Sequence, residues 1–238
     1  MARCLPPTAA SLRFVYERLL ARFGHAGWWP GETPFEVCVG AILVQNTAWR
    51  NVEKALAALR ARGLLEFAAL DRLPAAALAP LVRSSGFYRV KAARLRALVD
   101  FLGVRFGGRL ESMREQDPWR LRAELLEVPG VGRETADSIV LYAAGLPLFV
   151  VDAYTRRVFA RLGLVSGDEP YDALQRFFME RLPADTALYN DFHAQIVVLG
   201  KDVCRPRPLC PACPLQGECP RRGVSSSPRP SPRGSRRR

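Results

Sequence analysis

Glu127-Val128-Pro129-Gly130-Val131-Gly132-Arg133-Glu134-Thr135-Ala136 sets two glycines around one valine, between two segments of helical pattern. Glycines at that spacing let the chain reverse tightly and point backbone N–H groups outward where the next helix begins. Such amides carry partial positive charge and form a natural seat for a phosphate. An ordinary helix–helix turn would use the same residues. Outward from this turn the helical period dominates. Residues 51–62 place Val52, Ala55, Leu56 and Leu59 on one face, and residues 171–182 do the same with Leu174, Phe177, Phe178 and Leu182. Residues 80–98, 118–126 and 153–162 predict further helices. Alternation of strand type is nearly absent; Leu148-Phe149-Val150-Val151 is the one tempting run, and it is four residues long. The expectation is an all-α protein with no repeat of solenoid period.

A chain of 238 residues that is 49% hydrophobic and 24% charged has enough apolar surface for a sizeable core, which excludes disorder over most of its length. No stretch approaches the roughly 20 apolar residues that cross a bilayer, so no membrane partner is expected. The N-terminus has no apolar signal-like region, and the expected location is cytoplasmic, associated with the nucleoid. The net charge is +12, of which residues 221–238 contribute +7 as seven arginines without an acid. This Ser/Pro/Arg stretch cannot bury apolar surface and is expected to be a disordered tail. A basic body with a basic tail suits a polyanion, because each neutralised phosphate releases a counterion. Only Lys54, Lys91 and Lys201 are lysines among the 35 basic residues, so chemistry that needs a lysine amine has three candidates.

Four of the six cysteines, Cys204, Cys210, Cys213 and Cys219, fall within 16 residues as C-x5-C-x2-C-x5-C. Clustered thiols in a cytosolic chain point to metal rather than disulfides. Zinc and a [4Fe–4S] cluster both accept four thiolates; a single C-x2-C pair with long arms favours the larger cluster, with zinc the alternative. Cys38, inside the apolar run 35–44, reads as a small buried hydrophobe. Eighteen residues beyond Glu134, at the head of a helical segment, stands Asp152. It can cap that helix and also serve as a partly desolvated carboxylate where positive charge develops.

The hairpin, the aspartate of Val150-Val151-Asp152 and the four-cysteine loop together resemble the endonuclease III superfamily of DNA glycosylases, from about Trp28 to Cys219. The resemblance implies two helical lobes: a six-helix barrel ending in the helix–hairpin–helix (31–144), and a lobe built from both chain ends around a [4Fe–4S] cluster (1–30 and 145–222), followed by the tail (223–238). It also implies double-stranded DNA with a damaged base as the partner of a monomer, the nucleotide being flipped between the lobes. Gly130, Val131, Gly132, Arg133 and Thr135 would meet the DNA backbone, Gln45 would fill the space left by the base, and Asp152 would be catalytic. Lyase members carry a lysine two residues after the second hairpin glycine, where this chain has Glu134. A carboxylate cannot form an imine, so the expected chemistry is hydrolysis of the N-glycosidic bond alone. A glutamate there resembles the 3-methyladenine glycosylase branch, as do Trp28-Trp29-Pro30, Gln45-Asn46-Thr47 with Trp49, Ser85-Gly86-Phe87-Tyr88 and Ala136-Asp137-Ser138. Trp28, Trp29, Pro30, Trp49 and Glu134 would then line a pocket for an alkylated, cationic purine. The two adjacent tryptophans could equally be a hydrophobic staple at a lobe boundary. The chain departs from an alkylpurine enzyme of that branch in its cysteine loop and in having Gln195 rather than lysine in Phe192-His193-Ala194-Gln195. His25 and His193 are expected to be core or surface histidines without a catalytic part. The competing readings are a glycosylase for a mismatched, deaminated or oxidised base, with or without lyase activity, and a non-catalytic iron–sulfur protein that binds DNA.

Overall fold

The computed structural model describes residues 4–224, so all but the first two residues of the expected tail lie outside the described residues. The chain is helical throughout, with no strand among the described residues. Helix α1 (Ala9–Phe23) precedes a barrel of α2 (Pro34–Leu43), α3 (Trp49–Arg60), the short α4 (Phe67–Asp71) and α5 (Ala75–Leu78), α6 (Tyr88–Phe106), α7 (Pro118–Leu126) and α8 (Arg133–Ser138). Then follow α9 (Ala153–Leu162), α10 (Tyr171–Met179) and α11 (Thr186–Val198). Helix α2 is apolar all round, and every residue from Phe35 to Leu43 is buried, which makes it the axis of the barrel. Its start is fixed by Pro34 in the first turn and by Thr33, whose hydroxyl accepts from the Glu36 amide.

Two apolar cores form. One gathers α2, α3, α6, α7 and α8, with Val52, Leu56, Leu59, Leu95, Leu102, Leu121 and Ile139 among its members. The other gathers Leu12, Val15 and Leu19 of α1 with Phe149, Phe159, Phe178, Tyr189 and Phe192, so it draws on both chain ends. The ends are tied by Asp191 of α11, which accepts from the Tyr16 hydroxyl at 2.8 Å and from the Ala26 amide at 3.1 Å. Tyr142 packs against both cores and marks their junction.

Two sequence expectations need correction. The helix expected over 80–98 begins only at Tyr88, because Gly86 (φ +71°) and Phe87 (φ +44°) take left-handed conformations that break the helical path. The β-like run Leu148-Phe149-Val150-Val151 is buried and extended but pairs with no strand. Side chains of α10 satisfy its backbone instead: Gln175 donates to the Phe149 carbonyl at 2.7 Å, and the Val151 amide donates to the Tyr171 hydroxyl at 3.3 Å.

Candidate active site and nucleic-acid interface

The extended run delivers Asp152 to the N-cap of α9, where Oδ1 accepts from the Thr155 amide at 2.7 Å and the Thr155 hydroxyl at 2.9 Å. Oδ2 is left for other work. Nε2 of His193, on α11, lies 3.6 Å from it, too far for a direct hydrogen bond but close enough for a strong electrostatic contact. On the other side of the imidazole, the Tyr142 hydroxyl sits 2.5 Å from Nδ1. Burial opposes charge on Asp152, yet the His193 contact and the two Thr155 donors outweigh it and hold the carboxyl below its usual range. Asp152 is therefore an anion in a poorly solvated place. His193 is buried, as expected of a core histidine, and the structure places it against the carboxylate. Neither His193 nor Tyr142 gave a sequence signal beyond being a polar residue inside an apolar pattern. His25 is exposed and meets Asp191 at 3.0 Å, away from this cluster.

Tyr142 reaches its place through a local change of helical period. Helix α8 runs on into a π-helical turn, Ile139–Ala143, in which the Ala144 amide bonds to the Ile139 carbonyl. The widened turn rotates the side chains after Ser138, a device often found where helices carry functional residues.

Glu134 stands in the first turn of α8. Water reaches its side chain, but the protein around it and the negative charge of Asp152 push its carboxyl up to about 7. The two carboxylates thus feel each other's charge, Asp152 held below its usual range and Glu134 pushed up to about 7. None of the three lysines takes the place of the missing one. Lys91 is buried, its Nζ donating to the carbonyls of Leu43 (2.8 Å) and Ser85 (2.6 Å), while Lys54 and Lys201 are exposed on α3 and after α11.

At the hairpin, Gly130 takes φ +87°, and Gly132, the N-cap of α8, has open space where a side chain would be. Two of the expected DNA-contact residues have inward-facing side chains. The Val131 amide turns inward to the Val128 carbonyl, and its side chain joins the barrel core. Thr135 is buried, its hydroxyl accepting from the Gln45 amide nitrogen at 3.0 Å. Arg133 is more than half exposed and pairs with Asp172 at 3.3 Å. Gln45 is held against the hairpin: its Nε2 also donates to the Gly130 carbonyl at 3.1 Å, and its Oε1 accepts from Arg94 at 2.5 Å. To enter a duplex it must give up these bonds. Beyond Gly86, Phe87 is 72% exposed, an aromatic offered to solvent on a strained turn. Lys91 joins that turn to the end of α2, so Phe87 and Gln45 ride on connected loops.

Trp28, Trp29 and Trp49 cluster with ring centroids 5.1–5.9 Å apart, all half-buried, beside the exposed Pro30. Their planes cross at 51–89°, so they form an edge-to-face group with no parallel slot between them. Trp29 lies over Gly40 of α2 and against Tyr142, which links this group to His193. Gln195 is remote from the pocket chemistry: fully buried, it donates to the Gly24 carbonyl.

Cys204, Cys210, Cys213 and Cys219 line a single cavity together with Arg161 and Pro208. A second π-helical turn, Leu199–Val203, delivers Cys204. Two arginines one helical turn apart on α9 hold the loop. Arg157 donates to the carbonyls of Gly200 and Cys204, and Arg161 to those of Arg205 and Pro206 and to Cys204 Sγ at 3.4 Å. Burial and the three neighbouring thiols push Cys213 up to about 11. Four thiols around one cavity offer soft ligands to a cationic guest. Among the described residues no three His, Cys, Asp or Glu side chains converge as ligands of one metal ion.

This geometry has relatives. Residues 39–184 match the family model of the HhH-GPD superfamily base excision DNA repair proteins. A Methanocaldococcus jannaschii protein provisionally named a DNA repair glycosylase is 45% identical over 206 residues, 86% of this chain and 94% of its own. A non-covalent endonuclease III–DNA complex superposes with TM-score 0.76 at 27% identity, covering 90% of this chain and 96% of that one. The Helicobacter pylori 3-methyladenine DNA glycosylase bound to 1,N6-ethenoadenine does so with TM-score 0.67 at 31% identity, covering 81% and 95%. A hairpin, a buried carboxylate and a fold shared at this level place the chain in the HhH-GPD superfamily, as a DNA glycosylase of base excision repair.

Proposed function

We propose that the protein is a monofunctional glycosylase that hydrolyses the N-glycosidic bond of damaged purines, alkylated ones foremost, flipped from duplex DNA. The observation that carries this reading is the pairing of Glu134 with Asp152. The cleft holds two carboxylates, and the lysines are exposed elsewhere or committed to backbone carbonyls. Without an amine at the sugar, water must be the nucleophile. Asp152 Oδ2, an anion held in low dielectric, stabilises positive charge at C1′ as the bond to the base breaks. N-alkylation weakens that bond and gives the base positive charge, so departure needs little protonation. The exposed parts of Trp28, Trp29 and Trp49 offer such a base dispersion and cation–π attraction. The alkylpurine reading gains support from the Helicobacter pylori enzyme, at 31% identity.

The cysteine loop, on this reading, holds a [4Fe–4S] cluster through Cys204, Cys210, Cys213 and Cys219. When bound, the cluster supplies a covalent anchor for the loop and a one-electron couple.

Free bases released from methylated, uracil-containing and oxidised duplexes, identified by mass spectrometry, test the proposal. Methylated purines should be released fastest, the product strand should stay intact until heated in alkali, and borohydride should trap no adduct. Asp152→Asn should abolish release while retaining DNA binding. Uracil or an oxidised pyrimidine released in preference would overturn the substrate, and a trapped adduct would overturn the hydrolytic mechanism.

A further inference from the structure

Tyr142 and His193 stand beside the Asp152 carboxylate, and base excision as derived above gives them no part. We propose that they form a positioning pair, Tyr142 fixing the imidazole and His193 Nε2–H fixing the direction of Asp152 Oδ2 toward the sugar. The proposal rests on Asp152 being the catalytic carboxylate.

Three observations converge on it. Asp152 Oδ1 is engaged by two Thr155 donors while Oδ2 has none, and His193 Nε2 is the group 3.6 Å from Oδ2, placed to hold the second edge of the carboxylate. That nitrogen is buried and makes no hydrogen bond, although an orphaned polar atom in such a place is costly. A cost of that kind is tolerated where the atom acquires its partner in the working complex, and catalytic hydrogen bonds are commonly long before substrate binds. Finally, the tautomer follows from Tyr142. Its hydroxyl meets Nδ1 at 2.5 Å and has no other partner among the described residues. If it accepted from Nδ1–H, its own hydrogen would be buried unpaired. Donation to Nδ1 leaves the imidazole proton on Nε2, aimed at the carboxylate. Tyr142 also packs on Trp29 at 5.3 Å between ring centroids, so the pair joins the aromatic group to the carboxylate through contacting side chains.

The chain has only two histidines, and His25 is exposed, so ¹⁵N-histidine NMR of the native protein reads His193 directly. Nε2 should bear the proton, and its resonance should move in Asp152→Asn while that of His25 does not. An Nε2 without a proton, or one indifferent to Asp152→Asn, overturns the proposal. Kinetics give a second readout, as single-turnover release of 7-methylguanine from duplex DNA. His193→Phe should slow release by about 10- to 100-fold, the worth of a hydrogen bond to a charged group. Its affinity for a duplex with a tetrahydrofuran abasic analogue should stay within about threefold, as expected when only the transition state is affected. His193→Gln, which keeps an N–H donor, should recover most of the rate; equal loss in both variants would assign His193 a packing role only. If the native protein releases no 7-methylguanine, the substrate reading fails, while the NMR experiment still decides the fate of the pair.

Discussion

Glu134 and Asp152 answer pH in opposite senses, and the difference is open to measurement. Desolvation and the Asp152 charge raise the Glu134 pKa to about 7 in the folded protein. A carboxyl with a raised folded pKa adds most stability while protonated. That contribution is complete below the unfolded value, declines as pH rises through about 7, and is gone above it. Glu134→Gln should therefore melt close to the native protein at pH 4.5 and measurably above it at pH 8. A difference independent of pH would show that Glu134 titrates normally. Asp152 behaves the other way, its lowered pKa lending stability above the usual carboxylate range and losing it as pH falls further. Asp152 itself was legible in the sequence, since an apolar run ending in Asp before a helical pattern marks a cap. Its neighbours were not: Tyr142 and His193 are 51 residues apart and meet only through the packing of α11 on the π-helical turn.

Helices α7, α8 and α10 are locked by one buried carboxylate. Asp137 is fully buried; its Oδ1 accepts from Arg122 at 2.6 Å, and its Oδ2 accepts from the Tyr171 hydroxyl and Gln175 Nε2, each at 2.7 Å. Arg122 continues to Asp172 at 2.7 Å. Both oxygens that burial strips of water thus find donors, which is the condition for a buried ion to be tolerated. Removing Asp137 leaves the guanidinium with the part-exposed Asp172 alone and the Tyr171 hydroxyl without its acceptor, so Asp137→Ala should cost about 3–5 kcal/mol in urea unfolding. A loss under about 1 kcal/mol would mean that solvent repairs the network. Of this layer the sequence shows the helices and hides the network. Residues 118–126 and 153–162 were readable because caps and apolar period agree there. The start of α6 was not, because the apolar pattern runs through Gly86 and Phe87 while the backbone does not. The Asp137 partners lie 15, 34 and 38 residues from it in sequence, so periodicity carries no trace of them.

At the scale of the molecule, two cores of unequal self-sufficiency sit either side of the cleft. The barrel core is continuous from α2 to α8. The cysteine loop, beside the other core, has little of its own: Leu215 is its one fully buried hydrophobe, and most of its remaining ties are arginine side chains on backbone carbonyls, with two weak bonds through Cys204 Sγ and Cys219 Sγ. A segment with so little apolar burial needs a staple, and four thiols around one cavity are placed to provide it. The native protein should contain about four iron and four sulfide per chain, with broad visible absorption. Removing the metal, or replacing Cys213 by Ser, should speed amide exchange across residues 204–219, because the loop then has little beyond its arginine ties. Amides of α2 and α6 should keep their protection, since nothing in the barrel core touches the loop. DNA affinity should fall with the loop, because Arg205 and Arg207 lose their fixed positions, whereas the Asp152 site stays assembled on α9. Base release at saturating enzyme should then change less than binding. Loss of protection in α2 together with the loop would show instead that the two cores unfold as one unit, and that the metal holds the whole molecule.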